Sequence, residues 1–173
     1  MHRFTLLAFA AILLSTLLFT GCSAPGEAHA FRQEALEFVL EAPLFEGPNS
    51  GQIAWAVELP SALGMAEGKR VTGARLAHAT VQPGDSLGFS QVRSLVLSFA
   101  SDNADIAMQE AGFKNPVDPH AERVELEVAS DAELGDHVAA GKAYLVLDVD
   151  LAEDAWEEGR RFLLDFTLEI TIK

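Results

Sequence analysis

The stretch Arg161-Phe162-Leu163-Leu164-Asp165-Phe166-Thr167-Leu168-Glu169-Ile170-Thr171-Ile172 decides the fold. Phe162, Leu164, Phe166, Leu168, Ile170 and Ile172 alternate with Arg161, Asp165, Thr167, Glu169 and Thr171. Successive side chains of a β-strand point to opposite faces, so this period of two predicts one long strand with a dry face and a wet face. A helix would place apolar residues three and four apart instead.

The same test, carried outward, predicts seven more strands. Residues 36–41 put Leu36, Phe38 and Leu40 inward, with Glu37 and Glu41 outward. The run Gly47-Pro48-Asn49-Ser50-Gly51 reads as a turn into a second strand, in which Ile53, Trp55, Val57 and Leu59 share a face. A third strand spans 71–81 and stops at Pro83-Gly84-Asp85, a combination that favours turns. The fourth, 92–101, is apolar on both sides and so reads as central. Residues 106–110 are a weaker fifth, 122–130 a cleanly alternating sixth and 142–149 a seventh that is apolar on both faces.

Ser130-Asp131-Ala132-Glu133 has the spacing of a capping box, and Gly141 supplies a stop, so a short helix is expected over 134–140. A second is expected within 61–66. About eight short strands without long crossover helices imply antiparallel pairing. The expected fold is therefore an all-β, antiparallel two-sheet β-sandwich of Greek-key character with one or two short helices. The longer links at 60–70 and 150–159 are where the chain would pass between sheets.

Twelve basic against 26 acidic residues give a formal charge of −14. Nucleic-acid binding needs clustered Lys and Arg that release counterions from phosphates, and no such cluster is present in the sequence. No nucleic-acid partner is therefore expected.

The N-terminus is of another kind. Arg3 is followed by an uncharged, largely apolar run from Phe4 to Phe19 and then by Thr20-Gly21-Cys22, which contains the sole cysteine of the chain. A positive start, an apolar core and small residues before a processing point describe a secretory signal rather than a fold element. The tetrad Phe19-Thr20-Gly21-Cys22 resembles the lipobox of bacterial lipoproteins, with Phe19 where Leu is usual. The resemblance implies a diacylglycerol on the Cys22 thiol, cleavage before that residue and, from Ser23, sorting to the outer membrane if the cell has one. Residues 1–21 are then a cleaved signal peptide, 22–32 a lipidated cysteine with a flexible tether, and 33–173 the β-sandwich. Acylation would leave no free thiol for disulfides or metal sites, and two or more acyl chains anchor a protein stably where one does not.

A second resemblance runs through Val71-Thr72, Gly88-Phe89, Ser94-Leu95-Val96-Leu97-Ser98, Glu125-Leu126-Glu127-Val128, the expected 134–141 helix and the terminal strand. These are similar to a group of uncharacterised bacterial envelope lipoproteins. The resemblance implies a sandwich domain on a lipid tether and no activity.

The sequence contains no phosphate loop, His-Glu-x-x-His or EF-hand spacing, and Ser86, within Gly84-Asp85-Ser86-Leu87-Gly88, reads as a turn former beside Asp85. No catalytic residue is assigned, and a non-enzymatic protein is expected. His29, His120 and His137 are isolated from one another, while His78 shares a strand face with Leu76 and is expected to bond a backbone group or Thr80. The chemically suggestive feature is acidic. Asp148 and Asp150 leave the seventh strand on one face, and Glu153 and Asp154 follow, with Glu157 and Glu158 beyond. Calcium takes several carboxylate and carbonyl oxygens at roughly 2.3–2.6 Å, so Asp148, Asp150, Glu153 and Asp154 are the candidate metal ligands. Asp102-Asn103-Ala104-Asp105 is a second acidic turn. Trp156, ringed by acids, is a candidate ligand contact for a sugar or partner protein, although the favoured reading folds it back as a lid over the open end of the sandwich.

The sequence thus leads to a lipid-anchored envelope protein, held on the membrane through acylated Cys22, whose sandwich meets an envelope protein or glycan and needs no resident cofactor. The alternative is a calcium-assisted ligand- or carbohydrate-binding module.

Overall fold

The alternating C-terminal stretch is a single strand, Arg160–Ile172, and it lies between two others in a four-stranded sheet. The computed structural model describes residues 26–56 and 59–173. Cys22, the signal segment and Val57 lie outside the described residues.

Nine strands are described: β1 (Glu27–Leu40), β2 (Gly47–Ala56), β3 (Val71–Pro83), β4 (Val92–Ala100), β5 (Gln109–Lys114), β6 (Val124–Glu125), β7 (Glu127–Val128), β8 (Lys142–Leu151) and β9 (Arg160–Ile172). Two short helices accompany them, α1 (Leu59–Ala62) and α2 (Gly135–Ala139). One sheet has the order β1-β9-β3-β6 and the other β2-β8-β4-β5-β7. All the pairings are antiparallel. The molecule is an all-β two-sheet sandwich.

The core lies where the inward rows meet. Phe162, Leu164, Phe166, Leu168 and Ile170 of β9 belong to one buried cluster with Leu145, Leu147, Val149 and Leu151 of β8 and Leu95, Leu97 and Phe99 of β4. Each such side chain contributes about 1.5–3 kcal/mol on full burial. Trp55, Phe99 and Phe166 make mutual edge-on contacts at centroid distances of 5.4–6.1 Å, the geometry that ring quadrupoles favour. The Trp55 indole N–H donates to Gln33 Oε1 at 3.3 Å, which ties this cluster to β1.

Connectivity differs from the hairpin pattern that short links suggest. Among the described residues, only β4 and β5 are both consecutive and paired. β1 pairs with β9 and β2 with β8, so the two ends of the chain close both sheets together. A link of six to ten residues spans the ~10 Å between packed sheets as readily as it turns within one. The expected crossings at 60–70 and 150–159 do join opposite sheets, and so do 41–46 and 84–91.

Four local differences have physical causes. β1 starts at Glu27, so residues 27–32, read as tether from their composition, are strand. Their backbone groups pair with β9, as in Phe31 with Leu168 and Arg32 with Thr167, and that pairing overrides weak local propensity. Gly47–Gly51 is strand rather than turn. β2 is an edge strand, where Pro48 is tolerated, and Gly51 sits under Leu40, whose Cδ1 would lie 3.0 Å from an added Cβ. The expected sixth strand is broken at Leu126. β6 pairs with β3 and β7 with β5, so the chain changes sheets there while the Leu126 N–H donates to Ala79 O at 2.9 Å. The capping box does not form. Leu134, whose side chain has no acceptor, occupies the N-cap of α2, and Glu133 accepts from Arg75 Nη2 at 2.7 Å and Nε at 2.9 Å.

Candidate functional site

The crossover links 41–46, 84–91 and 152–159 all meet at one end of the sandwich, where β1 and β8 finish and β4 and β9 begin. Their conformation is fixed by polar contacts. Leu44 and Ala155 exchange backbone bonds at 2.8 and 2.9 Å, and the Glu46 N–H donates to Asp154 Oδ1 at 2.7 Å. Asn49 closes the first link by accepting from the Phe45 N–H at 3.1 Å and donating to Phe45 O at 2.7 Å.

Directly after the Leu44–Ala155 bridge stand two rings in the open. Phe45 is 52% exposed and Trp156 63% exposed, and they meet edge to face at 5.5 Å with an interplanar angle of 86°. The lid reading of Trp156 is therefore corrected. The bridge at Ala155 holds the loop beside the first link, and Phe45, rather than the core, is the ring that Trp156 packs against. Glu46, Asp154, Glu157 and Glu158 neighbour the pair in sequence and are exposed. A groove of about 480 Å³ opens nearby between Val39–Ala42 and Glu157–Arg161.

The four candidate calcium ligands are divided among different partners. Asp148 and Asp150 do share the outer face of β8, but Asp148 accepts from the Ser50 hydroxyl across the β2 pairing. Asp150 Oδ1 lies 3.6 Å from Arg93 Nη1. Glu153 accepts from Gln91 Nε2 at 3.2 Å, and Asp154 is the acceptor for Glu46. Among the described residues no group of three or more His, Cys, Asp or Glu side chains converges as a cation site. In the second acidic turn Asn103 Oδ1 accepts from the Asp105 N–H at 3.0 Å, an Asx turn of the kind that shapes loops.

Sequence reading missed three residues here. Arg93 links the site by bonding Glu46 Oε1 at 2.8 Å and Ala152 O at 3.3 Å. The hydrogen bond to Glu46, ahead of its charge and that of Asp150, holds the guanidinium above its ordinary pKa. Arg160 is buried, although it is a charged residue. Phe45 had a legible signal, being the lone aromatic in a polar link, yet nothing in the pattern pairs it with Trp156.

The histidines sit elsewhere. His78 Nδ1 lies 3.0 Å from Glu125 Oε1 across the β3–β6 pairing, rather than on a backbone group or Thr80. His137 is buried in α2 with Nε2 3.1 Å from Ala107 O. His29 faces Glu27 at 3.4 Å, and the His120 N–H donates to Asp118 at 2.9 Å.

The arrangement suits recognition. Two aromatic rings are offered on links that are already ordered, so little conformational entropy would be lost on contact. Acidic side chains around them would favour a cationic neighbour. The chain matches no protein-family model and no curated protein sequence.

Proposed function

We propose that this chain is a lipid-anchored protein of the bacterial cell envelope, of the outer membrane where there is one. It is tethered through acylated Cys22 and carries a non-enzymatic β-sandwich that docks a partner on the Phe45–Trp156 pair. The observation that carries the docking surface is the exposure of Trp156, at 63%, beside Phe45 at 52%, on links pinned by the Leu44–Ala155 bridge. Rigid aromatic anchors of this kind dominate binding energy at protein interfaces. The carboxylates of Glu46, Asp154, Glu157 and Glu158 select a partner segment that combines apolar side chains with Lys or Arg.

The tether reading rests on the lipobox-like tetrad. Radiolabelled palmitate should enter the protein in bacterial cells, and Cys22→Ser should abolish the label and move the chain to the soluble fraction. Membrane retention of that variant would overturn it. For the docking surface, a photocrosslinking residue at position 156 in intact envelopes should give a discrete protein adduct that Phe45→Asp removes. An adduct insensitive to Phe45→Asp would overturn the site.

A second reading draws on the same exposed indole. Trp156 beside carboxylates is the chemistry of a sugar-stacking contact, so a saturable change in Trp156 fluorescence with envelope oligosaccharides would favour a glycan partner over a protein one.

A further inference from the structure

We infer that the end of the sandwich where β1 begins and β9 ends is a membrane-facing surface, apposed to an anionic lipid bilayer, with the Phe45–Trp156 end held away from it. The inference rests on the lipid-anchor reading of Cys22.

Chain length sets the geometry. Cys22 precedes Glu27, the first residue of β1, by five positions. A chain extends by at most ~3.6 Å per residue, so the acylated thiol stays within about 18 Å of Glu27. Glu27 pairs with Ile172, and Ile172 pairs on its other side with Val71. Arg70 and Lys173 exchange backbone bonds at 2.9 and 3.0 Å immediately beyond. In the facing sheet, Lys142 starts β8 opposite Ala56 at the same end. β1 then runs for 14 residues, which at ~3.3 Å each puts its far end roughly 40 Å from the tether. The aromatic pair thus lies beyond the reach of the anchor.

Charge orients the domain the same way. Lys69, Arg70, Lys142 and Lys173 are exposed at the tethered end. Glu27, Glu67, Asp102, Asp105 and Asp136 share that end, so it is only slightly acidic. At the other end Glu41, Glu46, Glu153, Asp154, Glu157 and Glu158 are all exposed, against the exposed cations Arg93 and Arg161. An anionic leaflet attracts Lys and Arg and repels carboxylates within a Debye length of ~8 Å. The more acidic end is therefore repelled more strongly, while the lipid fixes the less acidic end at the surface.

The lysines provide the test, since the chain has four and only Lys114 lies toward the acidic end, paired with Leu95 of β4. The mature lipidated chain, purified from membranes, is reconstituted into phosphatidylethanolamine–phosphatidylglycerol vesicles and floated. Each lysine is then labelled with an amine-reactive probe, and the pattern is compared with that in detergent micelles. Labelling of Lys69 and Lys173 relative to Lys114 should fall roughly threefold or more in vesicles. Equal protection of Lys114 would mean that the sandwich lies flat, and unchanged ratios in floated protein would mean that it stands free of the surface. Either result overturns the orientation alone. Failure to float overturns the anchor reading on which it rests.

Discussion

Arg160 is 1% exposed and donates from Nε to Asp85 Oδ2 at 3.2 Å, so the only fully buried cation among the described residues is matched by a carboxylate that is itself mostly covered. The guanidinium also bonds Gly88 O and Ser90 O, and it lies 5.3 Å from the centroid of the Phe162 ring. Asp85 in turn accepts from the backbone N–H groups of Leu87 and Arg161, each at 2.9 Å. One ion pair therefore fastens the 84–91 crossover to the start of β9.

Asp85→Ala should leave that guanidinium buried without its counter-charge. Breaking a buried pair from one side costs about 3–5 kcal/mol. Urea unfolding of the described domain should register a loss of that size. Asp85→Leu combined with Arg160→Met should recover most of it, because no charge is then stranded. A loss under 1 kcal/mol for the single variant would contradict the clamp.

The two tryptophans should behave oppositely. Trp55→Ala removes a ring that contacts Phe31, Phe99 and Phe166 and should cost about 3–5 kcal/mol. Trp156→Ala removes an exposed ring and should stay within about 0.5 kcal/mol of the parent. Emission spectra of Trp156→Phe and Trp55→Phe would separate the two environments, with the blue-shifted signal remaining in the variant that keeps Trp55.

Gly159→Ala tests the approach between the last crossover and β1. A Cβ at this position would meet the carbonyl oxygen of Leu40 and come within 3.3 Å of Glu41 Cα, both of them backbone atoms. The chain must shift there, at a cost of about 1–3 kcal/mol as in other overpacked sites. Unchanged thermal stability would show that the two segments separate freely.

Calcium should not stabilise the domain. The carboxylates of Asp148, Asp150, Glu153 and Asp154 are engaged with four different partners, and gathering them around one ion would break those contacts. Thermal melts in EDTA and in millimolar calcium at fixed ionic strength should coincide. A saturable rise, lost in Asp150→Ala, would reverse this, since a ligand of the folded state must raise its melting temperature.

Much of the fold is legible because period two survives in strands covered on one face. β9, β8 and β4 lie close to where alternation puts them, and the apolar faces of β4 mark its central place. Arg160 was missed, although the alternation of the strand extends to it. It has the same parity as Phe162 and Leu164, so it had to point inward and find a partner. The first strand was obscured because 27–32 is rich in small and polar residues whose pairing comes from β9, and the sixth because alternation is blind to a change of sheet at Leu126. Of the candidate site, the acidic character of 148–158 and the presence of Trp156 were evident, but its pairing with Phe45 was not.

By itself the sequence determined the class of fold, since the parity of apolar residues along a strand is a local property that fixes which side must be dry. It likewise determined the acidic surface and the lipobox-like tetrad at Cys22. Tertiary structure alone decided which strands are neighbours, that Asp148 to Asp154 are shared out among Ser50, Arg93, Gln91 and Glu46, and that Trp156 stands in the open against Phe45. These depend on contacts between residues some 60 to more than 100 positions apart, for which one chain carries no local periodic signal.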